Sequence, residues 1–178
     1  MMKIVVDAAS DPLVVRGLRR IAGDRLKIVD YDQPFNFSDK INCGVAAARG
    51  DYVLLLNDDT ELITPGSVAE MVGLAQQDDV GMVGAKLLFE DGTLQHGGHL
   101  YHGTISHALL GWSGAHPGPH RMLAVERECA GVTAAAALLR RDVFNGIGGM
   151  NTDFAVNYND GEFRIEDRFP TPAIFPKY

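Results

Sequence analysis

The run Leu54-Leu55-Leu56-Asn57-Asp58-Asp59-Thr60-Glu61 ends an apolar stretch abruptly in two adjacent carboxylates. Carboxylates on rigid backbone are how oxygen ligands are presented to Mg²⁺ or Mn²⁺, ions that keep coordination positions open for substrate phosphates. The same run also reads as a solvated Asn-Asp turn after a buried strand, and alone it leaves both readings standing. A second polar cluster, Asp7-Ala8-Ala9-Ser10, follows the run Lys3-Ile4-Val5-Val6. A further carboxylate, Asp160, closes Asn157-Tyr158-Asn159-Asp160 beside Gly161, where position alone reads as an ordinary loop acid. All the histidines fall between His96 and His120, at 96, 99, 102, 107, 116 and 120. Imidazoles at that density can bind zinc, but no cysteine shares the segment and the spacing fits no closed structural site. A substrate-side loop is the better reading of that segment.

These groups need elements that hold them in place, and the first half of the chain supplies an alternation. Residues 3–6 read as a short buried strand. Asp11-Pro12 opens a helix to residue 22 with Leu13, Val14, Leu18 and Ile21 at helical spacing. Residues 26–29 form a second strand. Ser38 is the expected N-cap of a helix to about residue 49, with Ile41, Val45 and Ala48 on one face and Gly50 as its stop. Residues 52–56 are the clearest strand. Thr64-Pro65 has the cap-plus-proline pattern of a helix start, and the segment to residue 77 sets Val68, Met71, Val72 and Ala75 on one side. Residues 80–83 form the next strand. This βαβα order predicts a mostly parallel sheet covered by helices, with ligands beyond the carboxyl ends of its strands.

The second half is less regular. Residues 87–89 and 93–96 flank Asp91-Gly92 as a hairpin would. The Gly-, Pro- and His-rich segment 111–120 reads as a mobile loop, and the whole of 96–120 is expected to lack regular hydrogen bonding. Residues 134–139 are a strand or a short buried helix. Asp142 is expected to cap a short helix that ends by Gly146, Gly148 and Gly149.

At 178 residues and 46% hydrophobic, the chain suits one domain with a sizeable core. Lys and Arg number 16 against 23 Asp and Glu, a formal charge of −7, which excludes the basic footprint of nucleic-acid binding. An acidic protein that handles an anionic small molecule needs local compensation, which a bound divalent cation provides. Cys43 and Cys129 make neither a disulfide framework nor a metal knuckle, which fits free thiols in a reducing cytoplasm. No apolar run reaches the roughly 20 residues of a membrane span, so a soluble cytoplasmic chain is expected.

From Lys3 to Asp160 the order and spacing of KIVVDAAS, YDQPFNFSDKINCGVAAARGDYVLLLNDDTE, VGMVGAKLLFEDGTLQHGG and GVTAAAALLRRDVFNGIGGMNTDFAVNYND resemble family 2 glycosyltransferases. The similarity is to the branch that looks like rhamnosyltransferases. It implies an α/β fold of the GT-A type, three layers around a mostly parallel sheet. It also implies inverting transfer of a sugar from a nucleotide-diphosphate sugar to a saccharide or lipid-linked acceptor. By the same resemblance Asp7 contacts the nucleotide base, Asn42 and Gly44 lie on the nucleotide-side helix, and Asn57 and Asp58 flank Asp59. Asp58 and Asp59 would then hold Mg²⁺ or Mn²⁺, and Asp160 falls at the position of the base. That assignment is chemically coherent, because a cation offsets charge on the departing diphosphate while a carboxylate across the sugar takes the acceptor proton.

Two departures from the family shape the expectations. The family carries a strand and helix before the Asp7 strand, and after Asp160 a helix rich in Leu and Arg. Here the chain opens at Met1 and closes with a proline-bearing tail, 161–178, after a transferase domain spanning 1–160. A truncated GT-A domain should close up or self-associate as a homodimer through an open strand edge. Its nucleotide pocket should be deformed and its turnover low. The rival readings are a non-catalytic nucleotide-binding module of the same fold, and another α/β phosphate-handling enzyme with Asp7 as nucleophile.

Overall fold

The computed structural model describes residues 2–7, 11–153 and 173–175, the first and last of these as backbone. The chain separates into two compact units, one built from residues 2–51 with 149–153 and the other from 52–148 with 173–175.

In the first unit β1 (Met2–Asp7) pairs in parallel with β2 (Leu26–Tyr31), Asp7 lying opposite Tyr31. The connection is α1 (Pro12–Ala22), which starts as its sequence dictates: the Asp11 side chain accepts from Leu13 N–H at 2.8 Å and Pro12 takes a position that needs no donor. Arg19 and Arg20 sit in its last turn, where the helix dipole favours cations. The second helix, α2 (Phe37–Ala47), packs on both strands. Its cap is Asn36 and not Ser38. Asn36 is the extended residue before the first turn, and its side chain accepts from Asp39 N–H at 3.0 Å, while Ser38 is fully buried one residue into the helix. The helix also ends short of Gly50, at Ala47.

The second unit contains β3 (Tyr52–Leu56), α3 (Ser67–Ala75), β4 (Met82–Gly84), β5 (Leu87–Leu88), β6 (Leu94–His96), β7 (His99–Tyr101), β8 (Ile105–His107), β9 (Arg127–Cys129), β10 (Ala136–Arg140), α4 (Arg141–Gly146) and β11 (Ala173–Phe175). Its main sheet has the order β3-β10-β4-β11-β9. The expected parallel pairing holds for β1 with β2, but β10 runs antiparallel to both β3 and β4; the tail, for which no strand was expected, supplies β11, parallel to β4 and antiparallel to β9. Only parallel neighbours need a crossover of the βαβ kind, and β10 arrives by the long hairpin-bearing connection after β4, so nothing forces it parallel. Its apolar run lacks alternation because both faces are covered: Ala136, Ala137, Leu138 and Leu139 are all buried.

The core sits where α3 lays Met71, Leu74 and Ala75 on Val80, Val83 and Leu138. Burying each large apolar side chain there is worth about 1.5–3 kcal/mol. Helix α3 begins two residues later than Thr64-Pro65 suggests, because Gly66 adopts a left-handed conformation (φ 87°) and the Thr64 carbonyl is taken by Ser67 N–H in a turn.

The Asp91-Gly92 hairpin is present as β5 and β6, with the Asp91 side chain accepting from Thr93 N–H at 2.9 Å. The segment 96–120, expected to lack regular hydrogen bonding, has it. Strands β7 and β8 form a second hairpin, and Ala108 N–H donates to the Gly98 carbonyl and Gly111 N–H to that of Leu94. Glycines at 98, 103, 111 and 118 all have positive φ, so the composition that suggested looseness marks turns that fold the segment back on itself. No helix among the described residues is long and apolar enough to cross a membrane.

Candidate metal and nucleotide site

Strand β3 alternates, burying Val53 and Leu55, and releases the chain at an exposed Leu56 into the turn Asn57-Asp58-Asp59-Thr60. Two contacts pin that turn. Asn57 N–H donates to the Ala135 carbonyl at 2.9 Å, and the Thr60 hydroxyl reaches the same oxygen at 3.5 Å. The carbonyl is itself fixed, since Ala135 N–H donates to Thr133 Oγ1 at 3.3 Å and the next residue, Ala136, accepts from Ala85 N–H at 2.9 Å. Behind this segment Val132 packs so close to β4 that a Cβ on Gly84 would stand 2.3 Å from Val132 Cβ. The space left by Gly84 lets the 132–136 segment approach and hold the turn.

Asp58 and Asp59 are exposed, and neither carboxylate is engaged by a hydrogen bond or ion pair among the described residues. Hard oxygen donors on fixed backbone with coordination capacity to spare suit Mg²⁺ or Mn²⁺, which keep waters or phosphates for their remaining positions. The residues therefore fit such an ion.

The other sequence candidates lie in the first unit or outside the described residues. Asp7 ends β1, at the carboxyl edge where parallel strands present ligands. Asn42 and Gly44 are on α2. The Asn42 amide is committed on both sides, donating to the Met150 carbonyl at 2.9 Å and accepting Met150 N–H at 2.9 Å. Asn36 Nδ2 similarly donates to the Thr152 carbonyl at 2.8 Å. These two side chains fasten the stretch beyond Gly149 to α2, which gives Asn42 a structural task that sequence reading did not assign. Asp160 lies outside the described residues.

Three of the histidines for which the sequence favours a substrate-side loop over a zinc site come together. The β7–β8 register sets His99 opposite His107, and His96, at the end of β6, completes a triangle with ligand-capable atoms all within 4.8 Å of one another. His96 and His99 are buried and His107 is half-buried. Burial, reinforced by His99, His107 and Arg127, lowers the His96 pKa to about 2, so its ring is neutral in ordinary buffers. Beside the cluster Cys129 donates to the Gly131 carbonyl at 3.3 Å, and burial pushes its thiol pKa up, which makes it an inert thiol. The signal available in sequence was the spacing 96, 99 and 107 within a segment able to form a hairpin.

Comparison with known proteins bears on the whole arrangement. Residues 3–148 match glycosyl transferase family 2. An uncharacterized protein of Sinorhizobium fredii, y4gI, is 38% identical over 171 residues, covering 93% of this chain and 19% of the relative. The O-antigen biosynthesis protein RfbC of Myxococcus xanthus is 32% identical over 172 residues, covering 91% of this chain and 13% of its own length. The chain thus spans less than a fifth of these relatives. Among solved structures, the mannosyltransferase PcManGT of Pyrobaculum calidifontis, in complex with GDP-Man and Mn²⁺, is similar in fold at a TM-score of 0.58 and 17% identity, over 98% of this chain and 47% of that one. The match over most of its length makes this chain a member of glycosyl transferase family 2, with a GT-A fold.

Proposed function

We propose that this domain serves inverting transfer of a sugar from a nucleotide-diphosphate sugar to an acceptor hydroxyl, the acceptor being a saccharide or a lipid-linked saccharide. The observation that carries the reading is the pair of exposed carboxylates, Asp58 and Asp59, unengaged among the described residues, on a turn fastened to Ala135 at the start of β10. An Mg²⁺ or Mn²⁺ ion held there would neutralise charge that develops on the departing diphosphate. The chain's own contribution is positional. The Ala135 carbonyl and Thr60 hold the backbone of the turn that carries both exposed carboxylates, and a fixed backbone is what makes electrostatic stabilisation effective. Asp7 at the end of β1 would orient the base, with Asn42 and Gly44 on the helix that packs on that strand. Asn57 would bound the diphosphate side.

Asp160 is proposed as the base that takes the acceptor proton, a role typically worth 10²–10⁴ in rate. We place the transferase domain at 1–160, with β11 (Ala173–Phe175) of the following tail adding a strand to its main sheet. GDP-sugars are the first donors to test, because the similar solved mannosyltransferase holds GDP-Man and Mn²⁺. The test is a thermal-shift and transfer screen of GDP-, UDP- and dTDP-sugars with and without Mn²⁺. A donor at 100 times its Kd adds about 2.7 kcal/mol of stability. Metal-dependent donor binding with product formation supports the reading. Nucleotide binding without transfer would reduce the domain to a binding module, and phosphate release from simple esters would point to a different phosphate-handling enzyme.

A further inference from the structure

The β6–β8 region holds three imidazoles that the transfer reading does not use. We propose that His96, His99 and His107 form a binding site for a first-row transition ion of the Zn²⁺ class, separate in ligand chemistry from the Asp58-Asp59 turn.

The ring arrangement carries the proposal. Centroids of His96 and His107 are 4.7 Å apart, those of His96 and His99 4.9 Å, and those of His99 and His107 5.3 Å. The planes cross at 81°, 78° and 71° respectively. With Zn–N bonds of about 2.0–2.1 Å, a tetrahedral tripod of imidazoles puts its ring centroids about 5 Å apart and its ligand nitrogens about 3.3 Å apart. The centroid triangle has that size, and the ligand-capable atoms, all within 4.8 Å of one another, reach the closer spacing of a tripod by small ring rotations.

The hydrogen bonding shows how the rings face one another. His107 Nδ1 lies 3.0 Å from His96 Nδ1 and 3.0 Å from the Gln95 carbonyl, while Thr133 N–H donates to His96 Nε2 at 3.2 Å. A neutral ring carries one N–H. Since His96 Nε2 accepts from an amide, its proton belongs on Nδ1, aimed at His107 Nδ1, which must then offer a lone pair. That lone pair also faces the Gln95 carbonyl, an acceptor. Moving the His107 proton to Nδ1 satisfies Gln95 but sets two N–H groups against each other. No distribution of protons on two neutral rings satisfies all three contacts. An ion between the rings is met by lone pairs from His96 Nδ1 and His107 Nδ1 with the Gln95 oxygen alongside. The remaining His96 proton then sits on Nε2 and opposes the Thr133 N–H, 3.2 Å away, so loading moves the conflict to that amide, which must turn to a new acceptor.

Nitrogen donors select Zn²⁺, Co²⁺ or Ni²⁺ over Mg²⁺ and Mn²⁺, which prefer oxygen. Three protein ligands leave a fourth position for water. Arg127 opposes a cation here. Its guanidinium donates to the carbonyls of Gly97, Met122 and Glu128, so it stays in place and weakens the site without altering the ligand triangle.

The test is metal analysis of the full chain, stripped with chelator, loaded with zinc sulfate and dialysed. One zinc per chain is expected, with the strong visible absorption of four-coordinate cobalt when Co²⁺ replaces it. His107→Gln, at the half-buried position, should fold, as judged by circular dichroism, and lose the ion. His99→Asn is the second variant should the first be unstable. Asp59→Ala should retain zinc in full, which separates this site from the carboxylate turn. In amide NMR the Thr133 resonance should shift on loading. Sub-stoichiometric zinc in the parent, or full retention by a folded His107→Gln, overturns the proposal whatever the outcome for glycosyl transfer.

Discussion

Asn57 N–H donates to the Ala135 carbonyl at 2.9 Å, so residues on opposite sides of the β4 connection meet where β3 releases the carboxylate turn. The geometry of Asp58 and Asp59 thus depends on a strand encoded far downstream, and substitutions at either end should be felt at the turn.

Asp59→Ala is expected to abolish the mutual reinforcement between Mn²⁺ and a nucleoside diphosphate. In the parent, calorimetry should show nucleotide affinity rising at least about tenfold with Mn²⁺, equivalent to 1.4 kcal/mol. Equal affinities with and without the ion would remove the metal role of this turn.

Gly84→Ala should destabilise the fold, since the added methyl would stand 2.3 Å from Val132 Cβ. Overpacking of that kind costs about 1–3 kcal/mol. Val132→Ala in the same chain should recover part of the loss, a coupling that urea denaturation of the two single variants and the double variant can measure. Strict additivity would show that the two positions do not press on each other.

Asn42→Ala removes both hydrogen bonds to the Met150 backbone and leaves that N–H and carbonyl to find water. At roughly 0.5–1.5 kcal/mol each, the pair amounts to about 1–3 kcal/mol. Proteolysis should then open the chain near Met150 earlier than elsewhere. An unchanged cleavage pattern and midpoint would show that the clamp is dispensable.

His96 gives stability a pH dependence whose sign is fixed by its depressed pKa of about 2 against an ordinary 6.5. Between those values the unfolded chain binds a proton that the folded chain does not, so stability falls as pH drops below about 6.5 and is fully present above it. The contribution of this one group is at most about 1.4 kcal/mol per pH unit. Urea midpoints of metal-free protein at pH 7 and pH 5 should differ by less in His96→Gln than in the parent. Identical slopes would mean that His96 takes up its proton in the folded state.

Local signals were read well where a single residue decides the outcome. Asp11-Pro12 starts α1 because one carboxylate and one ring suffice, and Asp91-Gly92 makes its turn for the same reason. The five apolar residues of β3 followed by Asn-Asp-Asp were likewise legible. Ser38 was misread because two capping residues lie two positions apart, and backbone conformation chose Asn36. The place of β10 was hidden, since an apolar run without alternation reports burial on both faces but names no partner. The histidine triangle was hidden for a related reason. His99 and His107 meet only through hairpin register, which glycines at positive φ set and which composition alone presents as looseness.

The antiparallel insertion of β10 also sets an order of assembly. Strands β3 and β4 precede it in the chain, yet each finds its shared neighbour only when Ala136–Arg140 arrives, Leu56 waiting for Ala136 and Gly84 for Ala137. During synthesis the apolar β3 therefore emerges without its hydrogen-bonding partner, and the closure that completes it spans a long loop. Contacts of that separation slow folding and prolong the exposure of unpaired strand edges. In this domain the carboxylate turn cannot be in its final position before the sheet has closed over β10.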